Sequence, residues 1–129
     1  MVMSPLLPPN PTERQITECW WMWLQYKYPD VARGTFHPPN EAKRSPQTCR
    51  ILKRSGMTKG VPDFIMLWPS AGYHGAVFEF KSAKGKLTPE QEAFLTHAKS
   101  CGYYVNIFRD IDRAMDITSR YINDTLDEY

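Results

Sequence analysis

Long apolar runs are missing from this sequence of 129 residues. No stretch approaches the roughly 18 consecutive apolar residues of a membrane-spanning helix, so none is expected. Met1 to Pro11 has neither a positively charged start nor an apolar centre, and does not read as a secretory leader. Cysteine is scarce: Cys19, Cys49 and Cys101 are odd in number, widely spaced, and form no CxxC pair or Cys/His cluster. That excludes a disulfide framework and a cysteine zinc site as readings, and points to structural thiols in a reducing cytoplasm. Internal repeats are absent, and the length suits one domain with no room for a second. Acidic residues vanish from positions 42 to 62, where Lys43, Arg44, Arg50, Lys53, Arg54 and Lys59 stand without a counter-charge.

What is present reads as a globular α/β chain. It is 42% hydrophobic and 23% charged, with a formal charge of +2 that says little about partners. Pro5, Pro8, Pro9 and Pro11 make residues 1–11 an extended, flexible tail, leaving 12–129 as the domain. A first helix starts either at an Asn10 cap with Pro11 following, or at a Thr12 cap with Gln15 three residues on. Ile16, Cys19, Trp20, Trp23 and Leu24 then recur at helical spacing until Pro29. Val31 to Phe36 reads as a short strand, and Pro46 to Arg54 as a short helix closed by Gly56. Asp63 to Trp68 and Ala76 to Lys81 read as a hairpin around the turn Pro69-Ser70-Ala71-Gly72. Thr88-Pro89-Glu90-Gln91 opens a helix whose inner face is expected to carry Phe94, His97, Ala98 and Cys101. Tyr103 to Phe108 is a further strand. Asp110 caps a last helix with Ile111, Ala114, Met115, Thr118 and Ile122 inward. The order predicts one central sheet flanked by helices.

Asp63, Glu79 and Lys81 interrupt this apolar pattern. Glu79 and Lys81 are two residues apart on a strand, so they share a face with Val77, while Phe78 and Phe80 take the other. If the hairpin pairs, Asp63 lies beside Glu79. Two carboxylates at close range repel and raise each other's pKa, and a divalent cation removes that conflict. Hard oxygen ligands on a rigid strand suit Mg²⁺, and a nearby lysine can assist an attacking water or offset charge on a phosphate. The implied chemistry is metal-assisted phosphodiester hydrolysis. The plainer use of the same residues is a cross-strand ion pair at a solvated surface. Spacing alone does not separate the two.

Longer strings bear on that choice. Pro62-Asp63 followed by Glu79-Phe80-Lys81 resembles the PD-(D/E)XK nuclease motif. The flanking text is Gly56-Met57-Thr58-Lys59-Gly60-Val61-Pro62-Asp63, then Lys84-Gly85-Lys86-Leu87-Thr88-Pro89-Glu90-Gln91, and later Gly102-Tyr103. Together these resemble the VRR-NUC branch of that superfamily, from about Thr12 to Arg120. The resemblance implies a restriction-endonuclease-like core of order α-β-β-β-α-β-α with a mixed sheet. It implies Asp63, Glu79 and the Phe80 carbonyl as ligands for Mg²⁺ or Mn²⁺, with Lys81 assisting the attacking water. A glutamate of the first helix joins such sites; Glu13 is the better match and Glu18 the fallback, although Glu13 also suits a helix start. Gln91 matches a glutamine near the site and is equally the partner in the Thr88 capping box.

Lys43 to Lys59 precedes this site and Lys84 and Lys86 follow it. Beside a phosphodiester-cleaving centre these cations are read as contacts to the DNA backbone. His37-Pro38-Pro39-Asn40 falls where relatives carry a short loop, without an assigned role. Trp20, Trp21, Trp23, Tyr26 and Tyr28 offer rings for stacking on bases. Trp20 and Trp23 fit an inward stripe, however, and Trp21 is the one expected to face outward. His97 is expected to pack on its helix and His74 to sit in a turn.

The resemblance, to compact stand-alone phage and bacterial proteins, implies a DNA endonuclease acting on branched DNA such as four-way junctions. A symmetric junction suits a homodimer; a protein partner is left open, and no membrane is implied. The rival readings are an inactive DNA-binding or adaptor module, and a restriction-like enzyme on linear duplex. The latter has no separate target-recognition segment here.

Overall fold

The computed structural model describes residues 7–39 and 44–127. Helix α1 (Glu13–Lys27) starts at Thr12, whose side chain accepts from Gln15 N while the Gln15 side chain accepts from Thr12 N. Of the two cap positions the sequence left open, this one is used, since it satisfies two of the helix's orphan N–H groups. Pro29 ends α1 but does not lead into a strand. It takes the first position of a short helix, α2 (Pro29–Ala32), where a missing N–H costs nothing. The expected strand over 31–36 therefore shrinks to β1 (Thr35–Phe36). Helix α3 (Pro46–Arg54) is capped by Ser45 and buries none of its side chains. Strands β2 (Phe64–Met66) and β3 (Ala76–Phe80) form the expected hairpin. Helix α4 (Pro89–Ser100) then crosses over to β4 (Tyr104–Phe108), and α5 (Ile111–Ile122) follows its Asp110 cap. The observed order adds α2 and α3 to the one implied by the resemblance.

The sheet has four strands in the order β1-β2-β3-β4. It is mixed: β1/β2 and β2/β3 are antiparallel, and β3/β4 is parallel. The parallel pair requires the crossover that α4 supplies. Phe64, Phe78, Phe80 and Phe108 face α1 and α5 and form most of the core with Trp20 and Tyr121. The Trp20 ring lies 4.8 Å from Phe64 and 5.3 Å from Phe80. Its N–H donates to Thr118 Oγ1 at 3.0 Å, which ties α1 to α5 and satisfies a buried indole. On the opposite face Val77 packs against Leu95 and Ala98 of α4.

Two expected faces are rotated. Leu95, not His97, enters the core of α4; His97 and Cys101 are exposed, because the helix presents Leu95 and Ala98 to Val77. On α5, Ile117 and Tyr121 are buried with Ile111, Ala114 and Thr118, whereas Met115 and Ile122 are only partly covered. Trp21 is half-buried, its ring stacked 5.5 Å from Phe64; Met22 and Tyr26 are the large hydrophobic side chains of α1 that face outward. Leu7 packs against the main core. Among the described residues no helix is long and apolar enough to cross a membrane.

One glycine positions the site. Gly60 has φ +83°, and a Cβ there would lie 2.5 Å from the backbone C and O of Glu90. The chain before Asp63 thus passes directly over the first turn of α4, which only a residue without a side chain permits. Gly60→Ala is expected to cost at least about 1–3 kcal/mol from backbone strain, with the clash added to it. Urea denaturation checks this; a midpoint equal to that of the parent protein would contradict the close approach.

Candidate metal centre

Three chain segments meet at one end of the sheet. Phe64 pairs with Phe78 across the hairpin, and this register sets Asp63, one residue before β2, beside Glu79. Glu13 arrives from the first turn of α1. Each of Glu13, Asp63 and Glu79 presents a carboxylate oxygen, and these oxygens lie within 4.8 Å of one another. Glu18 is elsewhere, in an exposed ion pair with Arg14 at 2.9 Å. The structure therefore brings Glu13, and not the fallback, to the cluster.

Glu79 is 1% exposed and Lys81 7%. Glu79 Oε2 stands 3.5 Å from Lys81 Nζ and accepts from Gln91 Nε2 at 3.3 Å. Gln91 fills both roles the sequence allowed, since its Oε1 accepts from Thr88 N in the capping box. A solvated surface ion pair is ruled out by this burial. Asp63 Oδ2 accepts from Phe80 N at 2.7 Å, locking the loop before β2 to β3. The trans peptide between Phe80 and Lys81 points its N–H at Phe108 O, 2.9 Å away. Its C=O, that of Phe80, therefore points the other way, to the side of β3 on which β2 lies.

The electrostatics of the cluster are unfavourable as it stands. Burial, then the Asp63 charge, then a hydrogen bond with Asp63 and the Glu13 charge push Glu79 up to about 8, against the opposing pull of Lys81. Burial also raises Glu13, partly offset by Lys81 and reinforced by Asp63. Glu79 Oε1 is fully buried and, among the described residues, has no hydrogen-bond partner. An acceptor facing other acceptors is relieved only by a proton or a cation. Three carboxylates, one of them with a buried oxygen that lacks a partner, are the donor set of a hard divalent cation. The residues fit such an ion.

The cations read as DNA contacts lie on the surface. Arg44, Arg50, Lys53, Arg54, Lys59, Lys84 and Lys86 are all exposed, and Lys59 stands 3.9 Å from Glu90. Lys43 lies outside the described residues, as does Asn40.

Two residues near the site had no role in the sequence reading. His37 donates from Nδ1 to the backbone carbonyl of Asp63 and packs against the Phe64 ring. The accepting carbonyl fixes the tautomer and leaves Nε2 as the acceptor. The signal for it was its place directly after a strand that pairs with β2. Arg109 follows β4, and its Nη1 donates to Ser82 O at 2.9 Å and Gly85 O at 2.6 Å. It clamps the turn that leaves Lys81. The register of β3 with β4 places it there, and no local pattern marks it.

Comparison with known proteins gives the family and the fold. A sequence model of the VRR-NUC domain matches residues 12–109. Among solved structures, one described as a VRR_NUC domain protein aligns with a TM-score of 0.75 at 22% identity, covering 88% of this chain and 90% of that one. At that identity the likeness establishes the fold, which is restriction-endonuclease-like. No curated protein matches.

Proposed function

Because the chain belongs to the VRR-NUC domain family, and so carries a nuclease-type domain, we propose that it is a metal-dependent DNA endonuclease acting on branched DNA. The observation that carries this reading is the cluster of half-buried Glu13 and Asp63 with buried Glu79, whose Oε1 has no partner among the described residues, and Lys81 alongside. Glu13, Asp63, Glu79 and the Phe80 carbonyl would hold Mg²⁺, or Mn²⁺ in its place. When bound, the ion supplies Lewis-acid charge neutralisation at the phosphate and makes water a stronger nucleophile.

The chain's own residues supply the rest. Asp63 is held by its bond from Phe80 N and by His37 on its carbonyl, so the loop before β2 is rigid. Gln91 orients Glu79 from the first turn of α4. Lys81 Nζ, nearly buried, puts a positive charge where the pentacovalent phosphate develops negative charge, and steadies the attacking water. Water adds to phosphorus and one P–O bond breaks. Arg50, Lys53, Arg54, Lys59, Lys84 and Lys86 would neutralise backbone phosphates around the cut, with Lys43 and Arg44 extending that run. Two copies of the chain would give the paired cuts of a symmetric junction. The work would be done in the cytoplasm, on DNA, with no membrane involved.

Cleavage of labelled four-way junction, flap, single-stranded and linear duplex DNA, in Mg²⁺, Mn²⁺ or EDTA, tests the proposal. Metal-dependent cutting of branched DNA above duplex is expected. Lys81→Ala should lower the single-turnover rate by about 10²–10³-fold while the protein still gains thermal stability from the metal. Tight junction binding with no cutting in any metal would overturn the reading in favour of an adaptor module.

A further inference from the structure

A cavity of about 710 Å³, lined in part by the chain neighbours of Glu13 and Lys81, is not used by the chemistry above. One wall is the segment from Leu7 to Pro11 that runs into Glu13. Another is Ser82 to Lys84, the chain leaving Lys81. The third is Arg109 to Asp112, at the start of α5. Two of the three walls are therefore continuous with residues of the cluster. Ser82 is one residue, about 3.8 Å of backbone, from Lys81, and Pro11 is two residues from Glu13.

We propose that the cavity takes one nucleotide, unstacked from the DNA, next to the scissile phosphate; this rests on the nuclease reading and names the feature of the substrate that the protein selects. The volume falls within the roughly 300–1,000 Å³ that holds compact organic ligands. Leu7, Pro8 and Ala83 give aliphatic surface for the faces of a base. Lys84 and Arg109 bring positive charge to the same space for its phosphate. Arg109 is pinned by carbonyls of the 82–85 turn and, among the described residues, pairs with no carboxylate, so its charge stays available. A guanidinium held in place by neutral acceptors suits a phosphate oxygen. The Asp112 carboxylate, which also lines the cavity, is an acceptor matched to the amino group of a base.

The consequence is selectivity. Extracting a nucleotide costs least where it is already poorly stacked, as at a branch point or in a single strand. Such a cavity therefore favours branched over continuous duplex DNA without a separate recognition segment.

The test places the fluorescent base 2-aminopurine in turn at each nucleotide around the branch point of a four-way junction, and at the same sequence positions in linear duplex. Binding of the full chain in EDTA should brighten one position in the junction several-fold, since aliphatic walls do not quench the unstacked base. Ala83→Trp and, on the facing wall, Pro8→Trp fill the space and should weaken junction binding by about tenfold or more, with melting temperatures showing that each is folded. Brightening without cleavage in Mg²⁺ supports the cavity and defeats the nuclease reading. Cleavage by the parent protein with no position brightened, or with both folded variants binding at parental affinity, overturns the cavity alone.

Discussion

Glu79→Gln is expected to make the metal-free protein more stable and to lower its cleavage rate by about 10³-fold or more. The two effects share one cause. Glu79 is fully enclosed, faces Glu13 and Asp63, and leaves Oε1 without a partner among the described residues. An amide in its place carries no charge into that environment, and its N–H group can donate to a neighbouring carboxylate. The repulsion that the native residue imposes is thereby removed. What is lost is the anionic oxygen that a cation needs. Thermal melting in EDTA, beside single-turnover cleavage in Mg²⁺, reads both. A variant less stable than its parent in EDTA would show that Glu79 serves the fold and not the site. The opposed changes expected here are those of strain kept at a functional centre.

The second large effect is a fall in stability as pH rises, with metal absent. Glu79 titrates at about 8 in the folded chain, against an ordinary value of 4.5. Between those values the folded state holds a proton that the unfolded state has released. Stability from this group is thus fully present below about 4.5 and is lost as pH rises through about 8, at a slope near 1.4 kcal/mol per pH unit. Glu13, raised by its own burial, acts in the same direction. Most surface carboxylates do the reverse, so the sign is diagnostic. Urea denaturation in EDTA at pH 5.5, 7 and 8.5 should show a declining midpoint, and Glu79→Gln should flatten most of the decline. Adding Mg²⁺ should restore more stability at pH 8.5 than at 5.5, because the ion competes with that proton for the same oxygen. A protein whose midpoint rises with pH in EDTA would contradict the carboxylate geometry.

Much of this was legible before any coordinate. Thr12 with Gln15, and Thr88 with Gln91, mark helix starts because a capping box is satisfied within four residues. Ile16, Cys19, Trp20, Trp23 and Leu24 mark a buried stripe because helical periodicity repeats each turn. The strand period of two puts Glu79 and Lys81 on one face, and the hairpin register, with one face of each strand in the core, leaves little freedom in where Asp63 falls. These relations are local, set by hydrogen bonds and dihedrals among near neighbours. The sequence strings around Asp63 and Glu79 carried the family for the same reason.

Other features needed the packed chain. Glu13 and Glu18 lie on one helix, and only the docking of α1 against Phe64 and Phe80 turns Glu13 toward the cluster and leaves Glu18 with Arg14. Leu95 in place of His97 as the inner residue of α4 follows from how that helix sits on Val77. His37 meets Asp63 across 26 residues, and Arg109 meets Ser82 across 27. Sequence alone determined most of the elements, the Thr88 and Asp110 caps and the Asp63, Glu79 and Lys81 frame, because those depend on contacts within a turn or a strand pair. Tertiary structure decided which acid completes the frame, what clamps its loops and where the cavity opens. Those depend on side chains from distant segments meeting, and no local energy specifies that.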